Sequence, residues 1–347
     1  MSAAARITSI AFASPPQVKM EEFAEFFADG PGGAHVTEVV RNSAIDAKGM
    51  AVNPFVQDPR PWGTARRMEV SLAEARVLGR ETIAGALQRA GLRPADIGML
   101  ATATTTTHSA PGLDSLVDET GMVPGTEFQS LGPMGCYAAL PALSVVRDWV
   151  ALHGRPAVLL CVDLFSPHLQ PGPYDKEQAV VLTLFGDGAA AVVIRPGEEG
   201  VRGLDVVDRE MLYVPEFADD LQVHVGDHGM KIRLAPTMPD VTASAVAGPV
   251  DRLLGRHGLG RDDMRWWALH PGGRRIIDRV AEELELPDDS VAASRGVMRE
   301  YGNTAAPAVL AVLGRLQDAR PLGPGEYAAA LAFGPGATIW AVLLRGA

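Results

Sequence analysis

The chain has 347 residues, 47% of them hydrophobic, which is enough apolar material for one large α/β unit or two domains. A formal net charge of −11 argues against a nucleic-acid or anionic-membrane partner. Only two cysteines are present, Cys136 and Cys161, too few for a disulfide framework or a thiolate metal cluster, so reduced thiols are expected.

The N-terminal stretch MSAAARITSIAFASPP lacks the cationic start and sustained apolar run of a signal peptide, and no membrane-spanning stretch follows. A cytoplasmic protein is expected. Residues 66–92 carry apolar side chains at helical spacing, ended by Gly91, and Met99 to Ala103 then reads as a short buried strand. From Gly135 the pattern predicts a helix to about Gly154 and a strand from Ala157 to Val162. A loop or cap follows over Phe165 to Leu184, then a strand from Ala189 to Ile194. Leu204 to Pro239 is the least regular stretch, expected to line a cavity or join two halves. Beyond it the pattern predicts helices at Val241 to Leu259, Gly273 to Leu284 and Asn303 to Leu316. Strands are predicted at Trp266 to His270, Tyr327 to Phe333 and Thr338 to Leu344. Strands separated by helices of this length imply parallel sheets covered by helices.

Two stretches echo each other in order. GCYAALPALSVV, starting at Gly135, matches GNTAAPAVLAVL, starting at Gly302. Each leads to an apolar strand and then to a second echo, Phe185-Gly186-Asp187-Gly188 in one copy and Phe333-Gly334-Pro335-Gly336 in the other. The first copy is longer between its echoes by roughly 20 residues, placed most simply at Phe165 to Leu184, beside the site. The chain therefore reads as a duplication, one half spanning residues 1–205 and the other residues 206–347. The FGxG turns join neighbouring strands, which suggests an antiparallel edge in each half.

The first echo carries a cysteine where the second carries an asparagine. Cys136 follows a glycine turn at the start of an apolar helix, where backbone N–H groups and the helix dipole favour a thiolate able to attack a thioester. The competing reading is a small buried residue, and it is the one adopted for Cys161 inside AVLLCV. His270 ends an apolar strand, where ligands bind in parallel sheets, and could donate a hydrogen bond to a developing negative oxygen. Asn303 is either a helix N-cap or a second donor to that oxygen. Asp187 and Pro335 read as turn formers. His224, Asp227 and His228 have loose metal-ligand spacing without a third strong ligand, and no metal is expected.

Cys136, His270 and Asn303, within GPMGCYAA, LHPGGRRIID, REYGN and FGPGAT, resemble the type III polyketide synthases, the chalcone-synthase-like branch of the thiolase superfamily. NSAID, GVMREYGN and FGPGATI are most similar to bacterial members such as the dihydroxyphenylacetyl-CoA synthases. The resemblance implies a duplicated thiolase-like fold, two α/β halves with five-stranded mixed sheets layered αβαβα, and a cytoplasmic homodimer. It implies a nucleophilic Cys136, with His270 and Asn303 stabilising the enolate of malonyl-CoA during decarboxylative condensation, and then cyclisation to an aromatic or pyrone product. Acyl-CoA and malonyl-CoA are the implied partners, with no bound cofactor. Phe165 and His168 are implied to line the cavity near Cys136, and Leu221 and Ile232 to stand at gatekeeper positions. Arg274 and Arg275 are the implied contacts to coenzyme A phosphates. GCYAAL and Asn-Thr-Ala-Ala depart from the glycine-rich and serine-bearing patterns common in plant members, which keeps open a single-round condensing enzyme or acyltransferase of the same superfamily.

Overall fold

A computed structural model describes residues 5–347. The strands are β1 (Ala5–Ala13), β2 (Gln17–Lys19), β3 (Ala47–Gly49), β4 (Met99–Ala103), β5 (Glu127–Leu131), β6 (Ala157–Asp163), β7 (Gly188–Pro196), β8 (Leu204–Tyr213), β9 (Leu221–Gly226), β10 (Gly229–Leu234), β11 (Met264–Leu269), β12 (Tyr327–Gly334) and β13 (Thr338–Gly346). The helices are α1 (Met20–Ala28), α2 (Gly33–Asn42), α3 (Thr64–Ala90), α4 (Leu116–Glu119), α5 (Ala139–His153), α6 (Lys176–Leu184), α7 (Met238–Gly255), α8 (Arg274–Glu283), α9 (Ala292–Tyr301) and α10 (Ala306–Ala319).

The duplication is visible in the strand order β11-β12-β13-β8-β1-β7-β6-β4-β5. Reading outward from the centre, β1-β7-β6-β4-β5 of the first half corresponds to β8-β13-β12-β11 of the second. The halves meet where β1 pairs with β8 through Arg6–Asp205 and Ile7–Leu204. Each half mixes parallel and antiparallel pairs: β4 is parallel to β5 and β6 while β7 runs against β6, and β11 is parallel to β12 while β13 runs against β12. The antiparallel strands meet in the middle of the molecule and the parallel ones lie outside. Against the expected five strands per half, the second half has four among the described residues. Where a counterpart of β5 would lie, the chain makes a 3-10 turn at Asp288–Val291 instead.

Three apolar clusters give the layering. The central one packs α5 and α10 between the two sets of strands, with Leu140, Leu143, Val309 and Leu313 against Ile7, Leu159 and Val342. A second lies under α3 on the outer face of the first half, around Leu78, Ile83 and Leu160. The third lies under α7 and α8 on the outer face of the second, around Val250, Leu253, Val280 and Leu343. This is the αβαβα order of a thiolase-like fold. Strands buried on both faces explain the continuous apolar runs AVLLCV and YAAALAF.

Two expectations are corrected here. Leu204 to Pro239 is regular: it forms β8, which joins the halves, and the β9–β10 hairpin. The insertion is not all loop, because Asp175 accepts a 2.8 Å hydrogen bond from Gln178 N and caps α6. Among the described residues no helix is long and apolar enough to cross a membrane.

Candidate active site

The echoed turns clasp each other across the molecule. Asn303 and Phe185 form a parallel bridge, with Asn303 N donating to Leu184 O at 2.9 Å and Gly186 N to Asn303 O at 3.0 Å. In return, Gly334 of the second copy lies against the Cys136 turn of the first: a Cβ on Gly334 would sit 3.3 Å from Cys136 N and 2.7 Å from Tyr137 Cδ1. Each FGxG turn thus backs the other copy's chemical residue.

The result is one pocket lined by Cys136, His270 and Asn303, with Leu221, Phe185 and Phe333 among its walls. All three polar residues are nearly inaccessible, at 7%, 2% and 2% exposure. Asn303 Nδ2 donates to Cys136 Sγ at 4.0 Å, and Asn303 Oδ1 accepts from Ala305 N at 2.8 Å, which orients the amide with its NH₂ toward sulfur. The residue that caps α10 is Ala305, so the capping reading of Asn303 does not hold. His270 is fixed through its backbone, N–H to Leu331 O and C=O from Gly272 N, both at 2.8 Å. Its buried Nδ1 meets no hydrogen-bond partner among the described residues.

Burial keeps Cys136 and His270 neutral. Burial pushes the Cys136 thiol up, helped by the nearby Asp163 carboxylate and opposed by the Asn303 amide. This differs from the expectation of a favoured thiolate. Cys136 lies in a 3-10 turn before α5 rather than on the helix itself, and burial outweighs the local N–H groups. Burial alone lowers His270 to about 3, so the imidazole is neutral near neutrality and able to donate one hydrogen bond without carrying charge. Asp163, at the end of β6, accepts from Thr105 N at 2.7 Å, Thr106 N at 3.3 Å and Ala306 N at 3.2 Å. Thr105 Oγ1 in turn accepts from Gly135 N at 3.0 Å, linking this carboxylate to the cysteine turn.

Phe165, His168 and Ile232 line a second cavity together with Met50, Tyr174 and Phe185. The two cavities share Phe185, which packs on Phe165 with ring centroids 4.6 Å apart. Phe165 and His168 therefore belong to the neighbouring cavity rather than to the walls of the cysteine pocket. Both nitrogens of the His168 ring are engaged, Nε2 with Thr106 O at 2.9 Å and Nδ1 with Met230 N at 3.3 Å. Leu221 lines the cysteine pocket, but the aromatic at the junction is Phe185, which sequence reasoning missed. Its signal was present: Phe185 and Phe333 are the matched residues of the FGxG echoes, and both line the pocket.

Arg274 and Arg275 begin α8 on the surface and line neither cavity; Arg274 lies 3.6 Å from Asp278. Asp187 is more than a turn former. Its buried carboxylate accepts from Ala51 N at 2.8 Å, Phe165 N at 2.6 Å, Ser166 N at 2.9 Å and the Ser166 hydroxyl, tying the insertion to β7. His224 and His228 bond to Gln222 and Trp62, and no group of three metal-ligating side chains occurs among the described residues.

Comparison with known proteins agrees with this architecture. Residues 206–347 match the model of the chalcone and stilbene synthase C-terminal domain, and residues 34–201 match that of FAE1/type III polyketide synthase-like proteins. The 3,5-dihydroxyphenylacetyl-CoA synthase of Streptomyces toyocaensis is 32% identical over 89% of this chain and 82% of its own. The chain belongs to the type III polyketide synthases. The 1,3,6,8-tetrahydroxynaphthalene synthase of Streptomyces peucetius subsp. caesius is 35% identical to this synthase over 77% of the chain and 72% of its own length. The crystal structure of PKS-I from the brown alga Ectocarpus siliculosus superposes with a TM-score of 0.93 at 26% identity, covering 100% of this chain and 99% of that one. The synthase is accordingly an acyltransferase of the condensing type.

Proposed function

We propose that Cys136 carries the growing chain and that His270 and Asn303 stabilise the charge that appears on a thioester oxygen. The observation that carries this reading is the convergence of the three side chains on one buried pocket, with the Asn303 amide donating toward sulfur. In the first step Cys136 Sγ attacks the thioester carbon of an acyl-CoA, its proton passes to the neutral imidazole, and coenzyme A leaves as the thiol. Malonyl-CoA then loses CO₂. The electron pair left behind becomes an enolate whose oxygen accepts hydrogen bonds from His270 and Asn303. The enolate carbon attacks the Cys136 thioester and expels the thiolate, leaving a β-ketoacyl-CoA longer by one ketide unit. Neutral donors suit this step, because a permanently charged imidazolium would also stabilise the malonyl carboxylate of the ground state.

Repeated extension uses the adjoining cavity behind Phe185, where Phe165, His168, Leu169 and Ile232 form a wall suited to a poly-β-keto chain. The relatives include synthases named for a dihydroxyphenylacetyl, a tetrahydroxynaphthalene and an α-pyrone product, so an aromatic or pyrone ring is the proposed end point. Arg274 and Arg275 immediately precede Ile276 of the cysteine pocket and are proposed phosphate contacts for acyl-CoA and malonyl-CoA, with no bound cofactor required. The open outer edge of β5 supports a homodimer, and two free buried cysteines accord with a reducing cytoplasm.

The test is intact-protein mass and product mass with malonyl-CoA, alone and with acyl-CoAs of increasing length. Acylation of Cys136, its loss in Cys136→Ala, and products of several ketide units are expected. Asn303→Ala should retard decarboxylation on the order of a hundredfold, since such a donor contributes about 3 to 4 kcal/mol. An unacylated Cys136 refutes the reading, and single-step products alone would favour a one-round condensing enzyme.

A further inference from the structure

Lys48 is a buried basic group beside the site that the chemistry above leaves unused. It is the middle residue of the short strand β3, which pairs with β2, and is 1% exposed, a rare situation for a lysine. Among the described residues its side-chain nitrogen forms no ion pair with a carboxylate. It donates instead to Leu182 O at 2.5 Å and Phe185 O at 3.1 Å, and lies 4.0 Å from the centre of the Phe23 ring. The nearby acid, Asp187, spends its oxygens on Ala51, Phe165 and Ser166.

The two accepting carbonyls lie on the stretch from which Asn303 hangs. Leu182 is in the last turn of α6, where carbonyls lack helical partners and favour a cation. Phe185 is the bridge partner of Asn303. Between the two, Leu184 O accepts the Asn303 N–H, and the next residue, Gly186, returns a hydrogen bond to Asn303 O. The lysine stem fills the back of the same junction: a Cβ on Gly186 would be 3.1 Å from Lys48 Cβ, and one on Gly302 would be 3.7 Å from it. One side chain thus holds both ends of the segment that sets the register of Asn303 and the direction of the Phe185 ring, through hydrogen bonds it can donate whether or not the amine is charged.

We propose that Lys48 is a positioning residue for Asn303, acting through the backbone of Leu182 to Phe185 so that the carboxamide meets the pocket and Phe185 divides its two cavities. This rests on the enolate-stabilising reading of Asn303. Removing the side-chain amine leaves the carbonyls of Leu182 and Phe185 without their partner, and the turn loses its fixed register while the outer layers stay packed.

The experiment measures CO₂ release from malonyl-CoA by the full chain as wild type, Lys48→Met, Lys48→Arg, Asn303→Ala and the double variant Lys48→Met/Asn303→Ala, with thermal melts alongside. Lys48→Met should lower kcat about tenfold with little change in KM, the scale expected of a small misplacement. Lys48→Arg should recover most of the loss, and the Lys48→Met change should cost nothing further once Asn303 is alanine. An equal loss in both backgrounds, or no loss, overturns the proposal. Alkylation of Cys136 by iodoacetamide separates this failure from that of the underlying reading. Asn303→Ala decarboxylating at the wild-type rate removes the enolate role, whereas a Lys48→Met chain whose Cys136 alkylation profile stays at wild type removes the positioning role. If Lys48→Met does not fold, Lys48→Gln, which keeps an uncharged NH₂ donor group, is judged by the same two readouts.

Discussion

Gly334 approaches the cysteine turn so closely that a methyl group added to it would stand 3.3 Å from Cys136 N. The same methyl would be 2.7 Å from Tyr137 Cδ1 and 3.2 Å from Tyr137 N, so relief requires a shift of the backbone turn that carries the sulfur. Gly334→Ala should therefore cost about 1 to 3 kcal/mol of stability, as overpacking does. It should cost turnover more than tenfold, because the displaced atom is the one that must reach the thioester. Thermal melts and condensation rates measured on the same preparation check this, and a stable variant with wild-type turnover contradicts it.

Thiol reactivity gives predictions of opposite sign. Asn303 donates to sulfur and favours the thiolate, while Asp163 opposes it through its charge. Asn303→Ala should slow alkylation of Cys136 at a fixed neutral pH, and Asp163→Asn should accelerate it. Both rates refer to the folded chain, confirmed by near-ultraviolet circular dichroism. Two changes in the same direction would mean that access to the pocket, and not thiolate population, governs the reaction.

What the sequence made legible was whatever repeated. The echo of Cys136 and Asn303, and of the two FGxG turns, predicted a duplicated α/β fold because each copy must bury its own helix on its own strands. Helix α3 and strands β4, β6, β11, β12 and β13 follow from periodicity and lie within a few residues of their predicted limits. Parts without a repeat were hidden. The β9–β10 hairpin alternates strictly, Leu221-Gln222-Val223-His224-Val225 beside Met230-Lys231-Ile232-Arg233-Leu234, but belongs to neither echo, and its buried residues, Leu221, Met230 and Ile232, gain meaning only against the insertion. Phe185 was read as part of a turn because its partner, Asn303, is 118 positions away in the sequence. The protonation of the site was also misjudged, since burial by residues far along the chain outweighs the local N–H groups that favour a thiolate.

Acid should destabilise the fold through its buried histidines. Burial lowers His168 from 6.5 to about 4 and His270 from 6.5 to about 3. Between those values and 6.5 the unfolded chain binds protons that the folded chain refuses, so stability falls as pH drops through this window. Asp163 works the other way: burial raises it from 3.8 to about 7, so between these values the folded chain holds the extra proton and gains stability as pH falls. Burial raises Asp187 in the same sense as Asp163, but Asp58 and Glu210, held low by hydrogen bonds from Arg60 and Arg256, lose stabilisation toward acid together with the two histidines, and the net change is a loss. His168→Gln should flatten the slope, because glutamine can replace both hydrogen bonds, to Thr106 O and from Met230 N, without titrating. Urea melts at a series of pH values test this, and an unchanged slope in the variant would show that His168 does not contribute.

Product length should depend on the wall at Ile232. This side chain projects from β10 into the cavity shared with Phe165, His168 and Phe185, opposite the insertion. A phenylalanine there would add an aromatic ring to a space already bounded by Phe165 and Phe185, whose ring centres are 4.6 Å apart. The cysteine pocket has Leu221, Leu234 and Phe333 in its walls but not Ile232, so acylation of Cys136 and the first condensation should proceed at near wild-type rates. Later extensions need the room that the new ring removes. Ile232→Phe should shift the product masses toward fewer ketide units, at a stability cost of about 1 to 3 kcal/mol from overpacking. Ile232→Ala should move the distribution the other way, toward longer chains, and destabilise by about 2 to 5 kcal/mol as a core truncation. Liquid chromatography with mass detection on both variants reads the result. If both give the wild-type product ratio, the cavity behind Phe185 does not hold the growing chain.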